Sequence, residues 1–463
     1  MDYIEKYIWN SKSNRNYLKS ICKTFKIQNI QVYFSTMSLY FSIHNTRNAK
    51  RFVDFKRHNY IQFINNYKPI NNISLNGIVD CKTIDDKSLK LFCKVLPILD
   101  PVNFMMNNYN SKNTGLSSNY EYNRASKIND MNNTSYIDVF FSYIVGELTT
   151  RKILPNFAVY YGSINGIIDE FLYDVTDEIF DFEHKRWFSK NIGKRFDIEV
   201  KCEDDEITDV VAKLYDLPVQ LLFIENFDST LEDLLKIDVD MNLLESCLFQ
   251  IIFGLAYLQK QFDFTHNDLH INNVMFVKTE TLYLYYKFNN IYFKIPTFGY
   301  IFKIIDFGRS VFTYKNRVFH NDSFSKYGDA EGQYDYPHPS IKGFKRNRYN
   351  NKINPNPSFD MCRLSITILD CLNDMEGDVV DFLNHMSIDC NGRNLHKESD
   401  ESFELYVDIA RDSRNAIPHE LLLLFSIHGR LVVLLKDSSQ YSSTLLQLST
   451  GIKFLQLPPL VPV

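Results

Sequence analysis

The chain lacks the features that mark several classes of protein. Its 8 cysteines are scattered over 463 residues and form no CxxC pair. Neither a zinc site nor a disulfide framework is therefore expected, and reduced thiols in an intracellular setting fit better. There is also no excess of basic charge, because the formal net charge is −5. A chain of this balance gives no strong nucleic-acid signal.

Signals for export or membrane insertion are missing as well. The first residues mix charges throughout and do not resemble a signal peptide. The most apolar window, 421–435, is interrupted by His428, Gly429 and Arg430 and is too short to span a bilayer. We therefore expect a soluble intracellular protein without membrane insertion.

The residues that are present predict a large core and alternating types of element. Hydrophobic residues make up 45% of the chain, which is long enough for two or three domains or one two-lobed domain. Apolar β-type runs over 73–99 predict a hairpin, and 218–227 predicts a buried strand. Helical spacing predicts helices over 135–152 and 243–262. The segments 105–133 and 168–215 are expected to be insertions.

The chemically informative stretch is "HNDLHINN", residues 266–273, which follows the second of these helices. In phosphoryl transfer, an Asp can accept the proton of the attacking hydroxyl, and an Asn five residues later can ligate Mg²⁺. Asp268 and Asn273 have this spacing. A second Mg²⁺ ligand is expected from Asp306 in "IIDFG", at the end of another apolar run. The ordered pair HxDxxxxN and DFG is a strong signal, although each half alone is weak.

With these motifs the chain resembles the eukaryotic-type protein kinase superfamily. The resemblance implies an α+β, two-lobed protein-kinase-like fold that uses ATP and Mg²⁺. It predicts an N-terminal extension (1–70), a kinase-like domain (71–415, divided near 227 and 228 into its two lobes) and a C-terminal tail of uncertain character (416–463).

The resemblance also implies residues that bind the nucleotide. "NISLNGIV" (72–79) keeps only Gly77 and Val79 of the family's glycine loop. Lys94, on the next strand, matches the lysine that holds the non-transferred phosphates, although a surface lysine is the commoner fate of such a residue. The resemblance favours Asp138 as its acidic partner, with Glu147 as the alternative. These two lie nine residues apart, on nearly opposite faces of the predicted helix.

Further positions follow the family pattern or depart from it. Ile224 corresponds to the gatekeeper, and the backbone from Glu225 to Phe227 to the segment that meets adenine. Asp360 resembles the buried aspartate that braces the catalytic loop, in which His266 is expected to be a packing residue. Asn267 replaces the arginine that pairs with a phosphorylated activation loop, which suggests activity without that switch. His270 replaces the usual lysine and is expected to donate a hydrogen bond to the γ-phosphate.

Three functions are compatible with this pattern. The first is a Ser/Thr protein kinase similar to those of giant DNA viruses (mimivirus and relatives), in the host cytoplasm or virion, acting on protein substrates. The second is a small-molecule kinase of the aminoglycoside or choline type, which His270 and the lack of an APE-like motif favour. The third is a catalytically weak pseudokinase scaffold, which the eroded glycine loop favours.

Overall fold

The structure, a computed structural model, describes residues 12–31, 61–83, 85–109, 116, 126–203, 206–237, 240–288, 291–324, 328, 330–334, 355–372, 375–398, 403–428 and 433–435. Strands dominate the N-terminal part, and helices dominate the C-terminal part. The α+β fold class with two lobes, predicted from the sequence, is confirmed.

The strands described are β1 (Ile27–Gln31), β2 (Ile61–Pro69), β3 (Gly77–Thr83), β4 (Ser88–Pro97), β5 (Tyr160–Asp174), β6 (Phe196–Glu203), β7 (Glu206–Glu225), β8 (Ser229–Thr230), β9 (Val274–Lys278), β10 (Tyr283–Phe288), β11 (Ile291–Pro296), β12 (Tyr300–Ile304), β13 (Phe312–Tyr314), β14 (Arg317–Phe319) and β15 (Val433–Leu435). The helices described are α1 (Lys12–Phe25), α2 (Pro101–Met105), α3 (Ser126–Asn129), α4 (Thr134–Thr150), α5 (Ile179–Glu183), α6 (Arg186–Asn191), α7 (Leu231–Ile237), α8 (Met241–Phe262), α9 (Phe359–Leu372), α10 (Asp378–Met386), α11 (Leu395–Glu398), α12 (Phe403–Asp412) and α13 (Pro418–His428).

One antiparallel sheet forms the N-terminal lobe. Its strands lie in the order β1-β5-β7-β4-β3-β2, and β6 pairs with β7. Buried and half-buried residues alternate along β3, because successive side chains point to opposite faces of the sheet. The hairpin predicted over 73–99 is confirmed as the pair β3 and β4.

Helix α1 covers one face of this sheet. The ring of Phe25 lies 4.7 Å from that of Tyr67 on β2 and 6.1 Å from that of Phe223 on β7. In addition, β1 pairs with β5, and β2 pairs with β3. The sheet therefore includes residues that precede the boundary predicted at 71.

The segment 168–215, predicted to be an insertion, continues the same sheet. Strands β5 and β7 pair from Tyr160↔Ile224 to Asp174↔Val211, and β6 continues the ladder. Of the other predicted insertion, 105–133, much lies outside the described residues.

Helix α8 is the central helix of the C-terminal lobe. It is the one helix of the described part long and apolar enough to cross a membrane, but 78% of its most apolar window is buried inside the protein. Asp240 caps its N-terminus by accepting the N–H of Asn242, and Asp263 ends it with φ at 47°. Such burial is typical of a core helix.

Two strands of this lobe bring the sequence motifs together. Strand β9 follows the loop 266–273, and β12 precedes the loop that begins at Ile305. The two strands pair antiparallel with Ile304 opposite Val274. The end of the loop 266–273 therefore lies beside the start of the loop that contains Asp306.

Candidate active site

Lys94 is the centre of a charge cluster formed by three separate segments. Its Nζ lies 2.8 Å from Oδ2 of Asp138 on α4 and 2.8 Å from Oδ1 of Asp306 after β12. Burial by itself lowers the pKa of Lys94, but the two carboxylates outweigh it and raise the pKa above its ordinary value. The lysine therefore stays charged at neutral pH.

Asp138, rather than Glu147, is the acid that contacts Lys94. Asp138 is 1% exposed, and its Oδ1 accepts the N–H of Phe307 at 3.0 Å. Burial raises its pKa, although Lys94 opposes this shift. Glu147 lies near the other end of α4 and pairs with Arg151 at 2.9 Å. Helical geometry had allowed only one of the two acids to face the lysine, and the structure selects Asp138.

Asp306 presents its carboxylate to solvent beside the cluster. Its side chain is 39% exposed, against 2% for that of Asp138. Burial works to raise its pKa, but Lys94 outweighs this effect and lowers the pKa. The cluster of one ammonium group (Lys94) and two carboxylates (Asp138 and Asp306) carries a net charge of −1 when all three groups are ionised. Because carboxylate oxygens are preferred Mg²⁺ ligands, the residues present fit a divalent cation.

The backbone of Asn273 is bonded to the residue that precedes Asp306. The N–H of Ile305 donates to the carbonyl of Asn273 at 3.1 Å. Its side-chain nitrogen donates to the carbonyl of Asp268 at 2.8 Å. The contact with Asp268 uses the side-chain amide nitrogen, so the side-chain amide oxygen is the atom suited to a metal.

The carboxylate of Asp268 is held on one side. Its Oδ1 accepts the hydroxyl of Tyr406 at 3.1 Å and lies 3.7 Å from Nη1 of Arg309. Its side chain is 26% exposed. Asp268 is therefore accessible while its orientation is restricted.

The backbone of the loop is braced from below by Asp360. This buried carboxylate accepts the N–H of His266 at 2.8 Å and that of Asn267 at 2.9 Å. His266 is itself buried, and its Nε2 lies 2.9 Å from the carbonyl of Ile305, the residue before Asp306. These contacts agree with the packing roles predicted for Asp360 and His266.

Asn267 links the catalytic loop to the segment after Asp306. Its side-chain nitrogen donates to the carbonyl of Arg309 at 3.1 Å, and its oxygen accepts the hydroxyl of Tyr334. Its φ is 66°, a left-handed value that Asn tolerates better than most residues. A neutral amide and phenol thus connect two segments without any phosphate group.

The surroundings of His270 disfavour its protonated form. Burial, the largest cause, lowers its pKa, although Asp268 opposes the shift. Its Nδ1 lies 3.3 Å from the N–H of Asn272, and its Nε2 lies 3.1 Å from the amide nitrogen of Asn273. Because Nδ1 accepts the N–H of Asn272, the hydrogen of a neutral ring lies on Nε2, which faces Asn273. Donation to a phosphate, as the resemblance implies, therefore requires the ring or Asn273 to reorient.

Gly77 and Val79 lie on the face of the sheet opposite to Lys94. In the β3–β4 register Gly77 pairs with Cys93 and Val79 with Leu91, whereas Ile78 is opposite Phe92. Because side chains alternate between faces, Ile78 rather than Val79 shares the face of Lys94. The structure therefore places Val79, predicted to contact the nucleotide, on the face of the sheet turned away from Lys94.

The glycine at 77 has a packing explanation. A Cβ atom there would lie 2.4 Å from the carbonyl oxygen of Lys68 and 2.6 Å from the ring of Tyr67. The close approach of β2 thus requires a glycine at this position.

A cavity of about 160 Å³ borders the charge cluster. Its walls include Phe92, Lys94, Asp306 and the predicted gatekeeper Ile224. Small-molecule sites are usually larger, about 300 Å³ or more. Phe92, which sequence reasoning missed, narrows this space because it projects from β4 on the same face as Lys94.

The predicted adenine-contacting segment is fixed by a second ion pair. Oε2 of Glu225 accepts Nζ of Lys303 at 2.7 Å and the N–H of Val159 at 3.0 Å. The N–H of Glu225 donates to the carbonyl of Val159 at 2.9 Å, while Phe227 is half-buried against the core. A lysine within the apolar strand "YIFKI" was the sequence signal for a buried partner.

Comparisons with known proteins give short similarities. No protein-family model matches the chain. Over 84 residues it is 39% identical to an uncharacterized protein of Invertebrate iridescent virus 6, and over 73 residues it is 42% identical to a probable serine/threonine-protein kinase of Dictyostelium discoideum. These matches cover 17% and 14% of this chain, and 14% and 6% of the two relatives.

The solved yeast RNA Pol II CTD kinase CTDK-1 complex aligns with 67% of this chain and 66% of its own, at 12% identity and a TM-score of 0.27. A structural likeness this low carries no argument. The Dictyostelium similarity supports a kinase-like protein at a coarse level, and the viral similarity is to a protein without an assigned function.

Proposed function

We propose that this protein is an ATP- and Mg²⁺-dependent Ser/Thr protein kinase that transfers the γ-phosphate of ATP to protein hydroxyls. The observation that carries this proposal is the convergence of Lys94, Asp138 and Asp306 at 2.8 Å contacts beside the loop that holds Asp268. The similarity to a probable serine/threonine-protein kinase supports the same class. We also propose an intracellular location, in host cytoplasm or virion if the protein is viral.

Each residue of the proposed site has a role that follows from its charge or from its oxygen atoms. Lys94 remains protonated and is suited to neutralise the non-transferred phosphates. Asp306 and Asn273 would hold Mg²⁺ through their side-chain oxygen atoms, and the ion would supply positive charge beside the phosphates. Asp268 accepts the proton of the acceptor hydroxyl and orients it. Positioning and charge neutralisation supply most of the rate gain.

The test is phosphate transfer from labelled Mg-ATP to three pools of acceptors: histone, casein and a metabolite panel. Purified wild-type protein is compared with Asp268→Asn and with Asp263→Asn, a matched control at an exposed position five residues earlier. Removal of a proton acceptor is expected to slow transfer about 100-fold or more. The control is expected to keep wild-type activity.

Equal activity of Asp268→Asn and the wild type would overturn the proposed mechanism. Transfer to metabolites without transfer to histone or casein would assign the protein to the small-molecule kinases. Transfer to the protein pools, abolished by Asp268→Asn, is the expected result.

A catalytically weak scaffold is the second candidate, and the narrow cavity beside Phe92 favours it. A scaffold whose site does not admit nucleotide would show no Mg-ATP-dependent rise in the midpoint of thermal unfolding. The kinase proposal expects such a rise, because a ligand that binds only the folded state stabilises it.

A further inference from the structure

Tyr406 reaches the predicted catalytic carboxylate from a distant part of the chain. It lies on α12, 138 residues after Asp268, and its hydroxyl donates to Oδ1 of Asp268 at 3.1 Å. No sequence motif links the two residues, because the contact is formed only when α12 packs against α9. Nothing in the catalytic-loop pattern assigns a role to this tyrosine.

The ring of Tyr406 is held by its surroundings. Phe359 and Phe403 lie 6.0 and 6.3 Å from it between ring centroids. The guanidinium of Arg363 lies 5.0 Å from its centroid. Burial and then the charge of Asp268 raise the pKa of Tyr406, so its hydroxyl stays protonated and can donate.

The contacts on Asp268 are asymmetric. Tyr406 and Arg309 both approach Oδ1, at 3.1 and 3.7 Å. Among the described residues, no side chain donates a hydrogen bond to Oδ2. The carboxylate is therefore fixed through one oxygen and leaves the other for an incoming hydroxyl.

Helix α9 supports the loop in two ways. Asp360 accepts the two backbone N–H groups that precede Asp268. One helical turn later, Arg363 stacks on the tyrosine that contacts the Asp268 side chain. The same helix thus orients both the backbone and, through Tyr406, the carboxylate.

We propose that Tyr406 is a positioning residue that holds Asp268 through Oδ1 so that Oδ2 faces the hydroxyl of the phosphate acceptor. The tyrosine acts through Asp268 and does not itself contact the nucleotide. This inference rests on the proposed phosphotransfer function.

The test compares Tyr406→Phe with the wild type in phosphate transfer from Mg-ATP to casein and histone. Tyr257→Phe, on α8, is the matched control, because it also removes the hydroxyl of a half-buried phenol, in this case from a residue outside the catalytic loop. Tyr406→Phe is expected to lower kcat about tenfold, the effect of one hydrogen bond to a charged group. The KM for Mg-ATP is expected to match that of the control.

The outcomes separate this inference from the proposed function. A kcat of Tyr406→Phe equal to that of the control, in a protein whose wild type is active, overturns the inference alone. Parallel changes in kcat, KM for Mg-ATP and thermal midpoint also overturn it, because they indicate a merely structural tyrosine. Absence of transfer by the wild type overturns the proposed function and the inference together.

Discussion

The contact between Lys94 and Asp138 gives the sharpest test of the site, because Glu147 on the same helix provides an internal control. Asp138→Asn removes the buried negative charge but keeps nearly the same shape. The amide oxygen can still accept the N–H of Phe307, but the amide nitrogen then faces the ammonium of Lys94. Glu147→Gln makes the same chemical change where the partner, Arg151, is 52% exposed.

The magnitudes follow from burial. A hydrogen bond to a charged group contributes about 1.5–3 kcal/mol, and removing the charge of Asp138 also relieves its desolvation. Lys94 keeps Asp306 at 2.8 Å, so it is not left as an isolated buried charge. We expect Asp138→Asn to lower the free energy of unfolding by about 2 kcal/mol. For Glu147→Gln we expect about 0.5 kcal/mol or less, as for an exposed i, i+4 pair.

Urea denaturation at pH 7 measures both variants, with the denaturation midpoint and slope fitted separately. Phosphate transfer measured in parallel should fall for Asp138→Asn, mainly as kcat/KM for Mg-ATP, and stay unchanged for Glu147→Gln. If Glu147→Gln cost as much stability as Asp138→Asn, the assignment of Asp138 as the partner of Lys94 would be refuted.

Three further predictions follow from single contacts. Burial raises the pKa of Asp360 above its ordinary value. The folded state therefore holds the proton of this carboxyl more tightly than the unfolded state does. Its contribution to the free energy of unfolding is complete below the ordinary pKa and is lost as pH rises through the raised pKa. The stability advantage of the wild type over Asp360→Asn should therefore grow as pH falls from 7 toward 4 in urea titrations, and a constant difference would contradict this. Gly77→Ala should lower stability by about 1–3 kcal/mol in the same titrations, because the added Cβ meets the carbonyl of Lys68 at 2.4 Å. Lys303→Met should lower the free energy of unfolding by about 3 kcal/mol, because Glu225 is left without its cation. It should also raise the KM for Mg-ATP. An unchanged midpoint of unfolding would show that this ion pair does not stabilise the fold.

The sequence predicted elements well where periodicity was strong. The hairpin over 73–99 and the buried helix over 243–262 both have the expected type, because their apolar spacing matches one secondary structure only. It predicted no strands within 168–215, where the structure pairs β5 with β7.

The glycine loop shows a different limit of sequence reasoning. Gly77 and Val79 matched a motif by spacing, but strand register decides the face to which each side chain points. A shift of one residue moves a side chain to the other face. Here Val79 pairs with Leu91, away from Lys94, and only the pairing of β3 with β4 could establish this.

The sequence by itself determined the order and spacing of Asp268, Asn273 and Asp306, because short motifs fix local geometry within one loop. It also limited the partner of Lys94 to Asp138 or Glu147. Only the tertiary structure selected Asp138, brought Tyr406 to Asp268 and placed Lys303 against Glu225. These contacts join residues 44, 138 and 78 positions apart. Sequence spacing cannot encode such distances, because they depend on how packed helices and strands meet.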